Sequence, residues 1–89
     1  VNMIVKNIKL ENEDGLHARP AANLVKIAKQ YESSVKLDIS GKEYNAKSIL
    51  SIMSAGIKKG TDIKIICEGK DEKKAIESIV IGFKNKFDE

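Results

Sequence analysis

The sequence predicts an α+β domain in two layers, one open β-sheet with three helices on a single face, in the order β-α-β-β-α-β-α. Three observations carry that expectation. Residues 35–40 (VKLDIS) and 62–68 (DIKIICE) alternate apolar and polar side chains with period two, the mark of half-buried strands. Residues 21–31 and 75–87 repeat apolar side chains at helical spacing. Between the first of these strands and a short apolar-polar run (KEYN, 42–45) stands a turn signal, Ser40-Gly41-Lys42. The chain has 89 residues, enough for one core and no second, so a single domain spanning 1–89 is expected.

The elements follow in order. MIVKNIKL (3–10) is the first strand, less regular than the others. Ala21, Leu24, Val25, Ala28 and Tyr31 then make the apolar stripe of the first helix, with Asn23, Lys26 and Gln30 on the solvent side. In the second strand Val35, Leu37 and Ile39 face one way and Lys36 and Asp38 the other, and KEYN returns from it as a hairpin. SILSIMSA (48–55) fits a short helix, capped by the Ser48 hydroxyl and stopped by Gly56. DIKIICE places Ile63, Ile65 and Cys67 on its inner face. The last helix carries Ala75, Ile76, Ile79, Val80, Phe83 and Phe87, with Asp71 as its N-cap and Glu72 in its first turn, where a negative charge suits the helix dipole.

Composition narrows the function classes. Sixteen Lys and Arg against 13 Asp and Glu leave +3, and the basic residues are scattered, with no run longer than two. That is a solvated surface and no footprint for nucleic acid. The lone Cys67 allows no internal disulfide and no multi-cysteine metal site; it reads as a buried small hydrophobe and suits a reducing compartment, hence the cytoplasm. Apolar runs are too short to span a bilayer, and the start has no signal-peptide pattern, so no membrane insertion is expected.

The chemistry is concentrated in DGLHARPAANL (14–24), which holds the only histidine and the only proline. Gly15 stands where strand must turn into helix. Pro20 fits the first helical turn, because its missing N–H would have no intrahelical partner there. The helix therefore starts near His17 or Ala18, which sets the His17 ring beside the free amides of Ala18 and Arg19 at the positive helix end. Such a terminus is an anion cradle, and the Arg19 guanidinium adds a planar fork of donors suited to phosphate oxygens. A neutral imidazole is a nucleophile. Nucleophile, cradle and arginine together suit a histidine that accepts and returns a phosphoryl group, although an ordinary exposed histidine near a helix end satisfies the same spacing. With one histidine and no ligand cluster, no metal and no Ser-His-Asp triad competes.

GLHARPAANLV resembles the active-site segment of the histidine-containing phosphocarrier protein family, HPr, of the phosphoenolpyruvate-dependent sugar phosphotransferase system. NAKSILSIMSAGIKKGTDIKI is similar to its second signature, and GKDEKKAIESI to the start of its last helix, so the likeness runs almost end to end. The resemblance implies an open-faced β-sandwich, a four-stranded antiparallel sheet in the order 1-4-2-3 with three helices. By position, His17 would carry the phosphoryl group, on Nδ1, and Arg19 would stabilise it with the Ala18 and Arg19 amides. The donor would be Enzyme I and the acceptors sugar-specific IIA domains. The chain would be a carrier and not an enzyme, a monomer without cofactor. Ser48 matches the serine modified by an ATP-dependent HPr kinase/phosphorylase in Gram-positive-like members, a route to a catabolite regulator protein. Ile49, Leu50 and Met53 match the apolar docking patch beside it, although Met53 reads equally well as core. Ala55 stands where leucine is common in the family, which would trim that patch.

Other functions suit a small basic sandwich less well. An acylphosphatase-like enzyme needs an Arg with an Asn that orients water, and would turn over without becoming labelled. An RNA-binding module needs exposed aromatics on its sheet, whereas the two Tyr and two Phe here are mostly placed in the core by periodicity. A nitrogen-related phosphocarrier would share the His17 chemistry; the Ser48 context favours the sugar system.

Overall fold

The structure is a computed structural model that describes residues 3–88; residues 1, 2 and 89 of the expected domain lie outside them. Its strands are β1 (Ile4–Lys9), β2 (Ser34–Ile39), β3 (Lys42–Asn45) and β4 (Asp62–Glu68), and its helices are α1 (Ala18–Ala28), α2 (Ile49–Ser54) and α3 (Glu72–Lys84). All strand pairs are antiparallel in one sheet of order β1-β4-β2-β3. This is the open-faced sandwich that the alternating strands and helical stripes anticipate.

Alternation decides which face is covered. Val35, Leu37, Ile63, Ile65 and Cys67 are buried, while Lys36 and Lys64, one residue along, stay in water. Against the inner face pack Ala21, Leu24 and Ala28 of α1, Ile52 of α2, and Ile76, Ile79 and Phe83 of α3. The hairpin closes through Ser40 and Gly41, both at positive φ (55° and 88°), the two-residue turn whose twist matches that of the strands. Burial pushes the Cys67 thiol up to about 11, with Glu72 and Asp71 adding to it, so no reactive thiolate forms near neutral pH.

The C-terminal stripe departs from expectation. Helix α3 stops at Lys84, and Lys86, Phe87 and Asp88 are all left-handed, with φ of 55°, 49° and 58°. Phe87 is therefore buried off the helix, in a 3-10 turn (Lys86–Asp88) folded back onto a notch at Gly82. A Cβ on Gly82 would lie 2.2 Å from the Phe87 ring. That ring meets Phe83 edge-on at 4.8 Å. Left-handed backbone costs on the order of 1 kcal/mol per residue, and burying the phenyl ring returns roughly 2–3 kcal/mol. The turn carbonyls contribute too: Asn12 Nδ2 donates to that of Lys86 (3.0 Å) and Asn23 Nδ2 to that of Phe87 (2.7 Å). Asn23 is thus half-buried rather than on the solvent side of α1. Tyr31 also lies past the end of α1, where its hydroxyl bonds that of Ser78.

Asp71 occupies the N-cap position of α3 without capping it. Its carboxylate instead accepts from the Ser33 hydroxyl (2.5 Å), the Ser33 amide (2.9 Å) and the Glu32 amide (3.0 Å), groups that the chain reversal after α1 leaves without helical partners. Glu72 does the local work, its Oε1 accepting from the Gly69 amide at 3.0 Å. The three donors, Ser33 hydroxyl first, hold the Asp71 carboxyl down to about 2 from an ordinary 3.8. A depressed folded value stabilises the fold above the unfolded value and is lost as pH falls through the folded one. The thermal midpoint is therefore expected to drop between about pH 4 and 2. Asp71→Asn is expected to start lower and to lack that part of the drop, as a calorimetric pH series would show.

Candidate functional site

The loop between β1 and α1 is pinned at several points. Leu10 exchanges backbone bonds with the strand-entry loop, its amide to the Thr61 carbonyl (2.9 Å) and its carbonyl from the Gly60 amide (2.8 Å). The Gly15 amide closes a tight turn onto the Asn12 backbone carbonyl (3.1 Å), and the Leu16 amide donates to the Ile57 carbonyl (2.9 Å). Gly15 is required for that approach: it sits at φ +72°, and a Cβ there would lie 2.6 Å from the Ile57 oxygen. On the rim, Lys59 pairs with Glu13 at 2.7 Å and holds its carboxyl below the usual range. Both ends of that pair are largely in solvent, which makes its stabilisation small.

His17 is the N-cap residue of α1, extended (φ −81°, ψ −171°) and exposed. The first helical bond runs from the Ala21 amide to the His17 carbonyl (2.9 Å). The amides of Ala18 and Arg19 precede it, so the helix offers them no acceptor, and Pro20 has no N–H to offer. The positive end of α1 is thus open to solvent beside His17, as the proline position anticipates. Arg19 is exposed and forms no ion pair among the described residues. The ring makes one contact that the sequence does not announce. Its Nδ1 lies 3.2 Å from the Gly15 carbonyl. A carbonyl only accepts, so Nδ1 carries a proton in this arrangement, which in the neutral ring leaves the lone pair on Nε2.

Helix α2 lies beside this terminus. Lys47 Nζ reaches the Tyr31 carbonyl (2.7 Å) beyond the far end of α1, and Ile57 meets Leu16 at the near end, so α2 runs antiparallel to α1. The Ser48 hydroxyl caps α2 by accepting from the Ser51 amide (3.2 Å), as expected. Ser48 and His17 therefore stand at opposite ends of the pair, roughly 10 Å or more apart at 1.5 Å rise per residue. Between them Ile49, Leu50 and Met53 are 42%, 80% and 43% exposed, whereas Ile52 is buried. Met53 is surface, not core, and Ala55 is half-buried. Among the described residues no group of His, Cys, Asp or Glu has the makings of a metal site. No helix there is long and apolar enough to cross a membrane.

The model of the family described as PTS HPr component phosphorylation site matches residues 4–85. The chain belongs to the HPr family. It is 38% identical over 87 residues to the phosphocarrier protein HPr of Treponema pallidum, covering 98% of this chain and 99% of that one. The crystal structure of HPr-C-His from Thermoanaerobacter tengcongensis superposes with a TM-score of 0.92 at 41% identity, covering 97% of each chain. That of the Bacillus subtilis catabolite repression protein Crh, an intertwined dimer with a swapped domain, does so at 0.75 and 37%, covering 89% and 91%. The protein is accordingly a phosphocarrier of the phosphotransferase system.

Sequence reasoning had no access to three features of this site: the Asn12 bond to the C-terminal turn, the parking of Nδ1 on Gly15, and the antiparallel run of α2. Each joins residues distant in the chain or depends on a rotamer. The Ser40-Gly41 hairpin, by contrast, is local and announced itself.

Proposed function

We propose that His17 receives the phosphoryl group from phospho-Enzyme I and passes it to sugar-specific IIA domains, as a single cytoplasmic domain acting as a monomer. The observation that carries this reading is an exposed imidazole at the N-cap of α1, beside two helix-start amides and the exposed Arg19. In acceptance, a ring nitrogen attacks phosphorus, a P–N bond forms, and the bond to the donor breaks with its electron pair staying on the donor. The amides of Ala18 and Arg19 and the Arg19 fork take up the negative charge of the transferring group. Acceptance on Nδ1, the family's position, requires the ring to leave the Gly15 carbonyl and to carry its proton on Nε2 instead. One copy suffices for this scheme, because ring, cradle and apolar patch all lie on one chain. Incubation with phosphoenolpyruvate and Enzyme I, followed by mass spectrometry, tests the reading; label anywhere but His17 refutes it.

Arg19→Lys keeps the charge but loses the planar fork. Transfer to a IIA domain is expected to slow about 10- to 100-fold, part of what a fixed charge-assisted donor contributes to a transition state. Rapid-quench kinetics at matched concentrations read this directly, and unchanged rates would reduce Arg19 to a surface charge.

Ser48 is proposed as a regulatory phosphorylation site for HPr kinase/phosphorylase, with a catabolite regulator protein as a reader of the modified form. Its hydroxyl already faces the start of α2, where a charge of about −1.5 to −2 is tolerated without unfolding. That charge adjoins Ile49, Leu50 and Met53, and burying it under a partner costs desolvation. Distance from His17 makes this an effect on docking. Ser48→Asp is expected to raise the concentration of carrier needed for half-maximal phosphorylation by Enzyme I, with maximal rate and circular dichroism little changed. Ser48→Ala is expected to transfer normally and to resist the kinase.

A further inference from the structure

Asn12 is a fully buried polar side chain in the loop that leads to His17, and phosphoryl chemistry gives it no role. Its Nδ2 donates to the Lys86 carbonyl at 3.0 Å. Its backbone carbonyl accepts the Gly15 amide at 3.1 Å, and the Gly15 carbonyl in turn faces His17 Nδ1 at 3.2 Å. A continuous path of three hydrogen bonds thus runs from the left-handed C-terminal turn to the imidazole. Helix α1 grips the same turn separately, through Asn23 Nδ2 on the Phe87 carbonyl at 2.7 Å.

We propose that Asn12 is a positioning residue for His17, which fixes the Gly15 carbonyl against the ring and so holds the ring proton on Nδ1 in the unphosphorylated protein. The loop is firmly placed at its ends, by Leu10 on the 60–61 backbone and by Leu16 on Ile57. Between those ends, the Asn12 amide ties the turn at Gly15 to the C-terminal turn, which packs on α1 and α3. Without that tie the Gly15 carbonyl has more freedom, and the bond to Nδ1 loses its fixed acceptor. The ring then shifts toward the other neutral tautomer, with the proton on Nε2. Which nitrogen holds the lone pair decides which one can attack phosphorus, so the tie sets the resting state of the carrier. This inference rests on the reading of His17 as the phosphoryl acceptor only for its consequence, not for its test.

The test is ¹⁵N NMR of the His17 ring in the full chain, at a pH where the ring is neutral. The parent protein is expected to show mainly the Nδ1–H form. In Asn12→Ala the ratio of the two forms is expected to move toward Nε2–H by roughly threefold to tenfold, the equilibrium weight of one ordinary hydrogen bond. Asn23→Ala loosens the same C-terminal turn without touching the loop, and is expected to lower the melting temperature while leaving the ratio unchanged. A parent ring mainly in the Nε2–H form overturns the proposal, as does a ratio equal in the parent and Asn12→Ala. Equal shifts in both variants also overturn it, since general loosening would then be the cause. If Asn12→Ala fails to fold, Asn12→Asp removes the donor at constant size and is read the same way. Failure of His17 to take up phosphate would leave these tautomer ratios standing, so the two readings fail separately.

Discussion

Replacement of His17 by alanine is expected to abolish labelling of the protein by phosphoenolpyruvate and Enzyme I, with thermal unfolding changed by no more than about 0.5 kcal/mol. The two halves of this expectation have different origins. Stability is spared because His17 is exposed and its side chain caps nothing in α1, whose first bond uses the backbone carbonyl. Alanine supplies the same carbonyl. Labelling is lost because the chain has no second histidine, and none of its other nucleophiles stands in such a setting. Cys67 is buried with its thiol held protonated, and Ser48 lies at the far end of α2. The measurement is intact-mass spectrometry of parent and variant after identical incubation, paired with a melting curve of each. A variant that folds and still gains one phosphate would move the phosphoryl site elsewhere.

Much of this architecture could be read from residue order alone, and the parts that could not share a physical cause. Strand β4 is nearly self-declaring: Ile63, Ile65 and Cys67 alternate with Asp62, Lys64 and Glu68, so one face must be covered. The order of the strands in the sheet is set by which edges pair, which no local pattern encodes, and only the resemblance to HPr supplied it. Phe87 illustrates the opposite failure. Its spacing from Phe83 is helical, so periodicity extends the helix, yet a notch at Gly82 makes folding back more favourable than another turn. Asp71 fails for a related reason. A carboxylate before a helix is a cap by local rules, and amides 38 and 39 residues upstream claim it instead.

At the site, the residue types and their local geometry were accessible while their mutual arrangement was not. Pro20 placed the start of α1 to within a residue, and with it the open amides beside His17. The resemblance to HPr singled out Ile49, Leu50 and Met53, but periodicity left Met53 open as core, and its exposure beside the buried Ile52 shows in the packing of α2 on α1. The ring orientation of His17 rests on a carbonyl two residues back, whose position depends on Asn12, Ile57 and the C-terminal turn together. Long-range contacts of this kind leave no periodic trace.

Gly15→Ala is expected to destabilise the fold by roughly 2–5 kcal/mol and to impair phosphorylation as well. One part of the cost is conformational, because an alanine at φ +72° pays about 1–2 kcal/mol that glycine does not. The other part is steric. The new Cβ would fall 2.6 Å from the Ile57 oxygen and 3.2 Å from the Lys58 Cα, both backbone atoms that have no rotamer to escape into. The two loops must part, and the Leu16 amide loses the Ile57 carbonyl, a bond whose unsatisfied ends cost about 1–3 kcal/mol. At roughly 4–8 °C per kcal/mol for a domain of this size, the melting temperature should fall by about 10 °C or more. Gly56→Ala separates the two parts, since Gly56 is also left-handed (φ +58°) but has open space, with nothing within 4 Å, where a Cβ would stand. It is expected to lose only the conformational share, about 1–2 kcal/mol. Because Leu16 immediately precedes His17, parting the loops also displaces the ring from the Ala18 and Arg19 amides. Phosphorylation of Gly15→Ala is therefore expected to slow even at temperatures where the variant is fully folded. Equal losses of stability in the two variants would show that backbone conformation alone, and not the approach to Ile57, demands the glycine.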